Sequence, residues 1–233
     1  MKYVFVTGAN RGLGKGFVDY LLSQGFTVFA GIRNIEAFKT QPRCIPVMLD
    51  VSNDESIHRA FEEVKNSTST LDFLINNAGT NKDSVTHNHK ELVCNLSLLD
   101  RKLLLNMFDI NSVSPMMVLK EFLPLLQSKP SFVINISSAR SSYKDENTNT
   151  NGNYGYRASK AALNLMTLGS LFDLPSNVKT FAVHPGSVKT DMNPVGTDSP
   201  IDQAKKIIAI TKNWKNEFNG KLLRFDGTLY PLS

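Results

Sequence analysis

The sequence predicts an α/β protein: a doubly wound, three-layer α/β/α sandwich around a mostly parallel seven-stranded sheet. Three observations carry this prediction. Short β-branched and aromatic runs alternate with segments of helical apolar spacing along the whole chain. A glycine-rich turn, Thr7-Gly8-Ala9-Asn10-Arg11-Gly12-Leu13-Gly14, stands between the first run and the first helix. Residues able to do chemistry cluster just after the runs, where open α/β sheets bind ligands.

Bulk properties agree. The 233 residues suit one domain with a sizeable core, and 41% hydrophobic with 20% charged residues is globular composition. A net charge of +5 with no block of like charges leans toward anionic ligands and is too diffuse for nucleic acid. Only Cys44 and Cys94 occur, so no disulfide framework is implied and a reducing, cytoplasmic setting fits. Met1-Lys2 passes directly into a strand, unlike a signal peptide, and no apolar run approaches membrane-spanning length, so no membrane partner is expected. The glycosylation sequons at Asn66, Asn95 and Asn135 carry no weight in such a chain. His87 and His89 are two apart with nothing nearby to complete a ligand set, so no metal is expected.

In chain order, Lys2–Val6 is the first strand, and Phe17, Val18, Leu21 and Leu22 recur at helical spacing until Gly25. The glycines between them expose backbone N–H groups at a helix N-terminus, the setting a pyrophosphate requires. Thr27–Ile32 is the second strand and ends at Arg33. An acidic residue at that strand end would bind a ribose 2′-hydroxyl. Arg33, with Arg11 in the glycine turn, instead suits a 2′-phosphate, which favours NADP(H) over NAD(H). Cys44–Leu49 is the third strand, ending at Asp50-Val51; Asp50 can accept from an adenine amino group or cap the next helix, and the sequence leaves both open. Ser52 with Glu55 reads as a capping box, followed by the apolar stripe Ile57, Ala60, Phe61, Val64.

Leu71–Ile75 is the fourth strand and runs into Asn76-Asn77-Ala78-Gly79, whose small residues let backbone pass close to a flat ring. Residues 81–100 are polar and unpatterned. A long helix is predicted over Leu103–Leu126, kinked or split at Pro115. Asn111 lies within it, either exposed or buried; if buried it demands hydrogen-bond partners and can bend the turn. Ser131–Ile136 is the fifth strand, with Ser137-Ser138 at its end; a hydroxyl there could hold a carbonyl oxygen. A polar loop follows to Asn153.

Tyr156 and Lys160 then stand one turn apart on one helix face. A phenol has an unperturbed pKa of roughly 10, and an ammonium beside it pulls that down, so such a tyrosine can exchange a proton with an alkoxide. Tyr143 and Tyr154 are nearby, but neither has a lysine four residues on. Val178–Val183 is the sixth strand, followed by His184-Pro185-Gly186-Ser187-Val188-Lys189-Thr190, a loop able to bring backbone and a hydroxyl to an amide. Residues 191–200 read as a lid or a plain surface loop. Ser199-Pro200 opens a helix, and Lys221–Phe225 is the seventh strand.

Together these motifs resemble the short-chain dehydrogenase/reductase family: Thr7-Gly8-x-x-x-Gly12-x-Gly14, Asn76-Asn77-Ala78-Gly79, Asn111, Ser138, Tyr156-x-x-x-Lys160 and Pro185-Gly186-x-Val188-x-Thr190, in order. The start Gly8-Ala9-Asn10-Arg11-Gly12-Leu13-Gly14, the box Tyr156-Arg157-Ala158-Ser159-Lys160 and the ending Phe225-Asp226-Gly227 are similar to its C-factor and sniffer-type carbonyl reductases. The resemblance implies a Rossmann-type domain and an NADP(H)-dependent reduction of a carbonyl compound. It implies Tyr156 as general acid, Lys160 lowering its pKa and holding the nicotinamide ribose, and Ser138, rather than Ser137, on the carbonyl oxygen. It further implies Asn111 in a proton relay, and Pro185, Gly186, Val188 and Thr190 on the carboxamide. Gly8, Asn10, Arg11, Gly12, Leu13, Gly14, Arg33, Asp50, Val51, Asn77, Ala78 and Gly79 complete the cofactor site. It also implies a homodimer paired through the helices at 103–126 and 155–172. Eighteen positions separate Ser138 from Tyr156, a few more than is usual in the family, which fits an insertion in the loop between them. The substrate pocket would be built by loops 81–100, 139–153 and 191–200. An NADP(H)-binding signalling or redox-sensing protein with little turnover is the alternative. A methyltransferase would have no use for Tyr156 with Lys160.

Overall fold

The computed structural model describes residues 1–36, 38–39, 41–82, 96–144 and 153–232. Strands β1 (Tyr3–Thr7), β2 (Thr27–Ile32), β3 (Cys44–Met48), β4 (Phe73–Asn76), β5 (Ser131–Ile136), β6 (Val178–His184) and β7 (Leu222–Arg224) form one sheet in the order β3-β2-β1-β4-β5-β6-β7. Every described pairing is parallel, the edge strand β7 included. The winding direction reverses between β1 and β4, which opens a crevice outside their carboxyl ends.

Strand side chains alternate between two core layers. On one face Val4 and Val6 pack with Phe17, Leu21 and Ile207; on the other Phe5 and Phe29 pack with Phe61, Val118 and Phe122. The Phe5 and Phe122 rings lie 4.3 Å apart between centroids, and each such fully buried ring contributes about 1.5–3 kcal/mol.

The helices are α1 (Gly12–Ser23), α2 (Asp54–Ser67), α3 (Arg101–Phe108), α4 (Ser114–Leu126), α5 (Tyr154–Gly169) and α6 (Pro200–Lys212). Two sequence expectations change here. The cap of α2 is Asn53, whose Oδ1 accepts from the Ser56 N–H at 2.8 Å, not a Ser52–Glu55 box. Ser52 is already engaged, since its N–H and hydroxyl both donate to Asp50 Oδ1, at 3.0 and 2.7 Å. The long helix does not break at Pro115. It breaks upstream, where a π-helical turn at Asp109–Val113 separates α3 from α4. Pro115 sits in the first turn of α4, directly after the π turn. Among the described residues no helix is long and apolar enough to cross a membrane.

Candidate active site

The glycine turn is locked to the end of β4. Thr7 Oγ1 accepts from the Asn77 and Ala78 N–H groups, both at 3.0 Å. Asn77 Nδ2 donates in return to the Thr7 and Gly8 carbonyls at 3.0 and 3.1 Å. Gly8 has φ +65°, in the region that disfavours a side chain, and a Cβ on Gly14 would stand 2.1 Å from the Gly8 oxygen. Arg11 precedes α1 in extended conformation and makes no side-chain cap, and the first turn of α1 holds no acidic residue. The first-turn N–H groups and the positive helix end therefore face outward from a cradle without Cβ atoms, which fits the pyrophosphate of a dinucleotide. Asn10 is exposed on this turn, while Leu13 and Gly14 are buried under it. Thr190 reaches in from the loop after β6: its methyl would lie 3.0 Å from a Cβ on Gly12.

Arg33 is exposed at the end of β2, beside the end of β3. The Ser52 hydrogen bonds hold the Asp50 carboxyl below the usual carboxylate range, and the Arg33 charge adds to this. Asp50 therefore closes a turn on Ser52 and does not cap α2. Val51 borders a groove of about 570 Å³, lined also by Asp54, Asp109, Val113 and Met117. Burial, with Asp54 and Asp50 close by, pushes the Asp109 carboxyl up. Arg11 is ion-paired at 2.9 Å to Asp191, with both side chains mostly exposed. The two guanidinium groups thus each stand near a carboxylate.

On α5, Lys160 Nζ lies 5.9 Å from the centroid of the Tyr156 ring, while Tyr143 is 83% exposed and Tyr154 43%. Lys160 is buried and donates to the Ile136 carbonyl at 2.7 Å. The electrostatics differ from the sequence expectation. Burial raises the Tyr156 phenol above its ordinary value, opposed by a hydrogen bond from Ser138 and by the Arg140 charge. Burial also lowers Lys160 from 10.5 to about 8.

Asn111, fully buried, sits in the π turn. Its Oδ1 accepts from the Thr80 N–H at 2.8 Å, and its Nδ2 donates to the Thr80 carbonyl and to Ser159 Oγ, at 2.8 and 3.0 Å. The loop after β4, the π turn and α5 are thereby tied together. A Cβ on Gly79 would stand 3.1 Å from Asn111 Oδ1 and 3.7 Å from Lys160 Nζ, so these two side chains border one small space.

Ser138 starts a 3₁₀ turn (Ala139–Ser141), and its Oγ accepts from the Arg140 N–H at 3.2 Å. Ser137 points the other way and donates to Asn164. After β6, the segment through Pro185, Gly186 and Val188 is folded under the residues that follow. Ser187 N–H donates to Asp198 Oδ2 at 2.7 Å, and Asn193 Nδ2 donates to the Val188 carbonyl at 3.2 Å. Residues 191–198 thus form a compact loop closed on itself, not an open lid. His184 packs edge-on against Tyr230.

Of the expected substrate loops, residues 83–95 and 145–152 lie outside the described residues, with His87, His89 and Asn95 among them. Among the described residues no cluster could hold a metal ion. Thr7, Thr80, Ser159 and Asn164 had no role assigned from sequence. Thr7 and Ser159 stand inside the recognised motifs; Thr80 and Asn164 meet their partners only in the fold.

A family profile described as short chain dehydrogenase matches residues 2–199. The chain belongs to this family. It is 30% identical to an uncharacterised oxidoreductase of Schizosaccharomyces pombe, over 99% of this chain and 98% of the relative. It is 33% identical to the protein called C-signal of Myxococcus xanthus, over 70% and 94%. Its structure superposes on the carbonyl reductase Sniffer of Drosophila melanogaster with TM-score 0.88 at 28% identity, covering 99% of both chains. An NADPH-bound carbonyl reductase from chicken fatty liver superposes with TM-score 0.85, also at 28% identity and 99% of both chains. This short chain dehydrogenase is therefore an oxidoreductase by family, with carbonyl reductases among its structural neighbours.

Proposed function

We propose that this protein is an NADP(H)-dependent carbonyl reductase that converts an aldehyde or ketone to an alcohol. The observation that carries the reading is the meeting of Tyr156, Ser138 and Lys160 beside a glycine turn shaped for a pyrophosphate. The whole chain, 1–233, acts as one cofactor-binding domain whose loops at 81–100, 139–153 and 191–200 form the substrate pocket.

The Tyr156 phenol is protonated near neutral pH and would act as the general acid in the direction of reduction; burial alone makes it a weaker acid, which the Ser138 hydrogen bond and the Arg140 charge offset in part. Ser138 Oγ already accepts from Arg140, so its own proton is the one it offers to the carbonyl oxygen, sharing the charge that develops there. When bound, reduced nicotinamide supplies the hydride. Lys160, an ammonium below about pH 8, would hold the nicotinamide ribose and, while charged, favour the Tyr156 phenolate. The Asn111 amide is fully engaged with Thr80 and Ser159, so its contribution to a relay falls to its backbone carbonyl.

Gly8, Asn10, Gly12, Leu13 and Gly14 would hold the pyrophosphate; Asp50 and Val51 would meet the adenine, and Asn77, Ala78 and Gly79 would let backbone pass close to a ring of the cofactor. Pro185, Gly186, Val188 and Thr190 would orient the carboxamide. Arg11 and Arg33 would take the 2′-phosphate of NADP(H) in preference to NAD(H), a choice supported by the NADPH named for the chicken relative. The exposed Leu105, Leu165 and Phe172 on and after α3 and α5 favour a homodimer. The likeness to C-signal keeps a second reading in view, an NADP(H)-binding signalling or redox-sensing protein with little turnover.

The test is NADPH oxidation against a panel of aldehydes and ketones, wild type beside Tyr156→Phe, with NADH as comparison. Turnover with NADPH, poor turnover with NADH and loss in a variant that still binds cofactor support the reductase. Tight NADPH binding with no turnover on a broad panel moves the second reading ahead.

A further inference from the structure

We infer that Asn164 is a positioning residue that sets the Ser138 hydroxyl against Tyr156; the inference rests on the reductase reading above. Asn164 lies on α5, two turns beyond Tyr156 and one beyond Lys160, so all three share a face. It is 5% exposed and bonded on both sides of Ser138. Its Oδ1 accepts from Ser137 Oγ at 2.7 Å, and its Nδ2 donates to Ser141 Oγ at 2.8 Å. Ser141 Oγ donates onward to the Ser138 carbonyl at 2.6 Å.

The residue before Ser138 and the residue three after it are thus clamped to one amide, and that amide rides on the helix carrying the catalytic tyrosine. The clamp needs one acceptor and one donor at a fixed separation, which an amide supplies and a carboxylate or an alkyl group does not. The bonds are buried, where unmade partners are costly and geometry is correspondingly strict. The neighbouring buried pair, Asn135 Nδ2 to Thr167 Oγ1 at 2.9 Å, joins β5 to α5 further from the turn and does not touch Ser138. It provides a control for loss of buried polar contact alone.

The experiment is a double-mutant cycle with Asn164→Leu and Ser138→Ala, with Thr167→Val as control. Turnover is read with NADPH and a carbonyl substrate. In parallel, the ¹³Cζ resonance of Tyr156, assigned by its loss in Tyr156→Phe, reports the hydrogen bond at the phenol without need of turnover. The expected result is a kcat about tenfold or more lower in Asn164→Leu, and less than about twofold lower when Ser138 is already alanine. The Tyr156 resonance moves in the same direction in Asn164→Leu and Ser138→Ala, and no further in the double variant. Thr167→Val lowers the melting temperature and leaves kcat and the resonance in place. Equal losses of kcat in both backgrounds, an unmoved resonance in Asn164→Leu, or the same shift in Thr167→Val would overturn the inference. If Asn164→Leu does not fold, Ser141→Ala cuts the same link from the other side, and additivity with Ser138→Ala overturns it equally. If wild type reduces no carbonyl, the reductase reading falls, and the resonance comparison alone decides the role of Asn164.

Discussion

Lys160 is a lysine whose charge the fold resists, and this makes stability depend on pH in a calculable way. Burial lowers it from 10.5 to about 8 in the folded chain. Above pH 8 the folded protein releases this proton while the unfolded chain keeps it until about 10.5, so unfolded chains bind more protons and stability rises with pH in that window. Below pH 8 both states are protonated and the burial penalty is fully present. The gap between 10.5 and about 8, at about 1.4 kcal/mol per pH unit, amounts to about 3 kcal/mol. Between pH 7 and 9 the gain reaches about 1 kcal/mol. The assay is urea unfolding of wild type and Lys160→Met without cofactor at pH 7, 8 and 9. Cys44, pushed by burial from 9.0 to about 11, acts with the opposite sign from pH 9 upward, but it is present in both proteins and cancels. Wild type is expected to gain about 1 kcal/mol on the variant from pH 7 to 9, with unchanged m-values. Equal pH dependence in the two proteins would show that Lys160 keeps its proton when buried, and would refute the reasoning.

Two further expectations follow from surface features. If Arg11 takes the 2′-phosphate as proposed, Asp191 would compete for it, so Asp191→Asn is expected to tighten NADPH binding by up to about fivefold with NADH unchanged, the ceiling for so exposed a pair; a fluorescence titration showing equal effects on both cofactors would sink this. Leu165 and Phe172, 68% and 91% exposed, are expected to be covered by a second copy, and a sedimentation profile showing only monomer at micromolar concentration would exclude the homodimer.

Much of this protein was legible in its sequence because the information is local. Strand–turn–helix order, the glycines of the turn and the four-residue spacing of Tyr156 and Lys160 depend on neighbours within a few residues, and the structure keeps all of them. The cap of α2 shifted by one residue because Asp50 had already captured Ser52, a competition between two local bonds that spacing alone does not rank. The break in the long helix was misplaced for a different reason. Proline marks a cost for the helix, but the irregular turn stands just upstream of it, at the buried Asn111, whose amide bonds Thr80 and Ser159 across the fold.

The sequence by itself determined the fold class and the family, and it named the candidate residues that the proposed site uses. Only the tertiary structure decided their electrostatics and their support. An ammonium four residues from a phenol implies a lowered phenol pKa, yet in the fold desolvation is the largest influence on each group, raising Tyr156 and lowering Lys160. Likewise, the bond that turns Ser137 away to Asn164, and the second bond of that amide to Ser141, depend on contacts between a strand end and a helix distant in sequence. Burial and long-range hydrogen bonds are properties of the assembled layers, and no spacing along the chain encodes them.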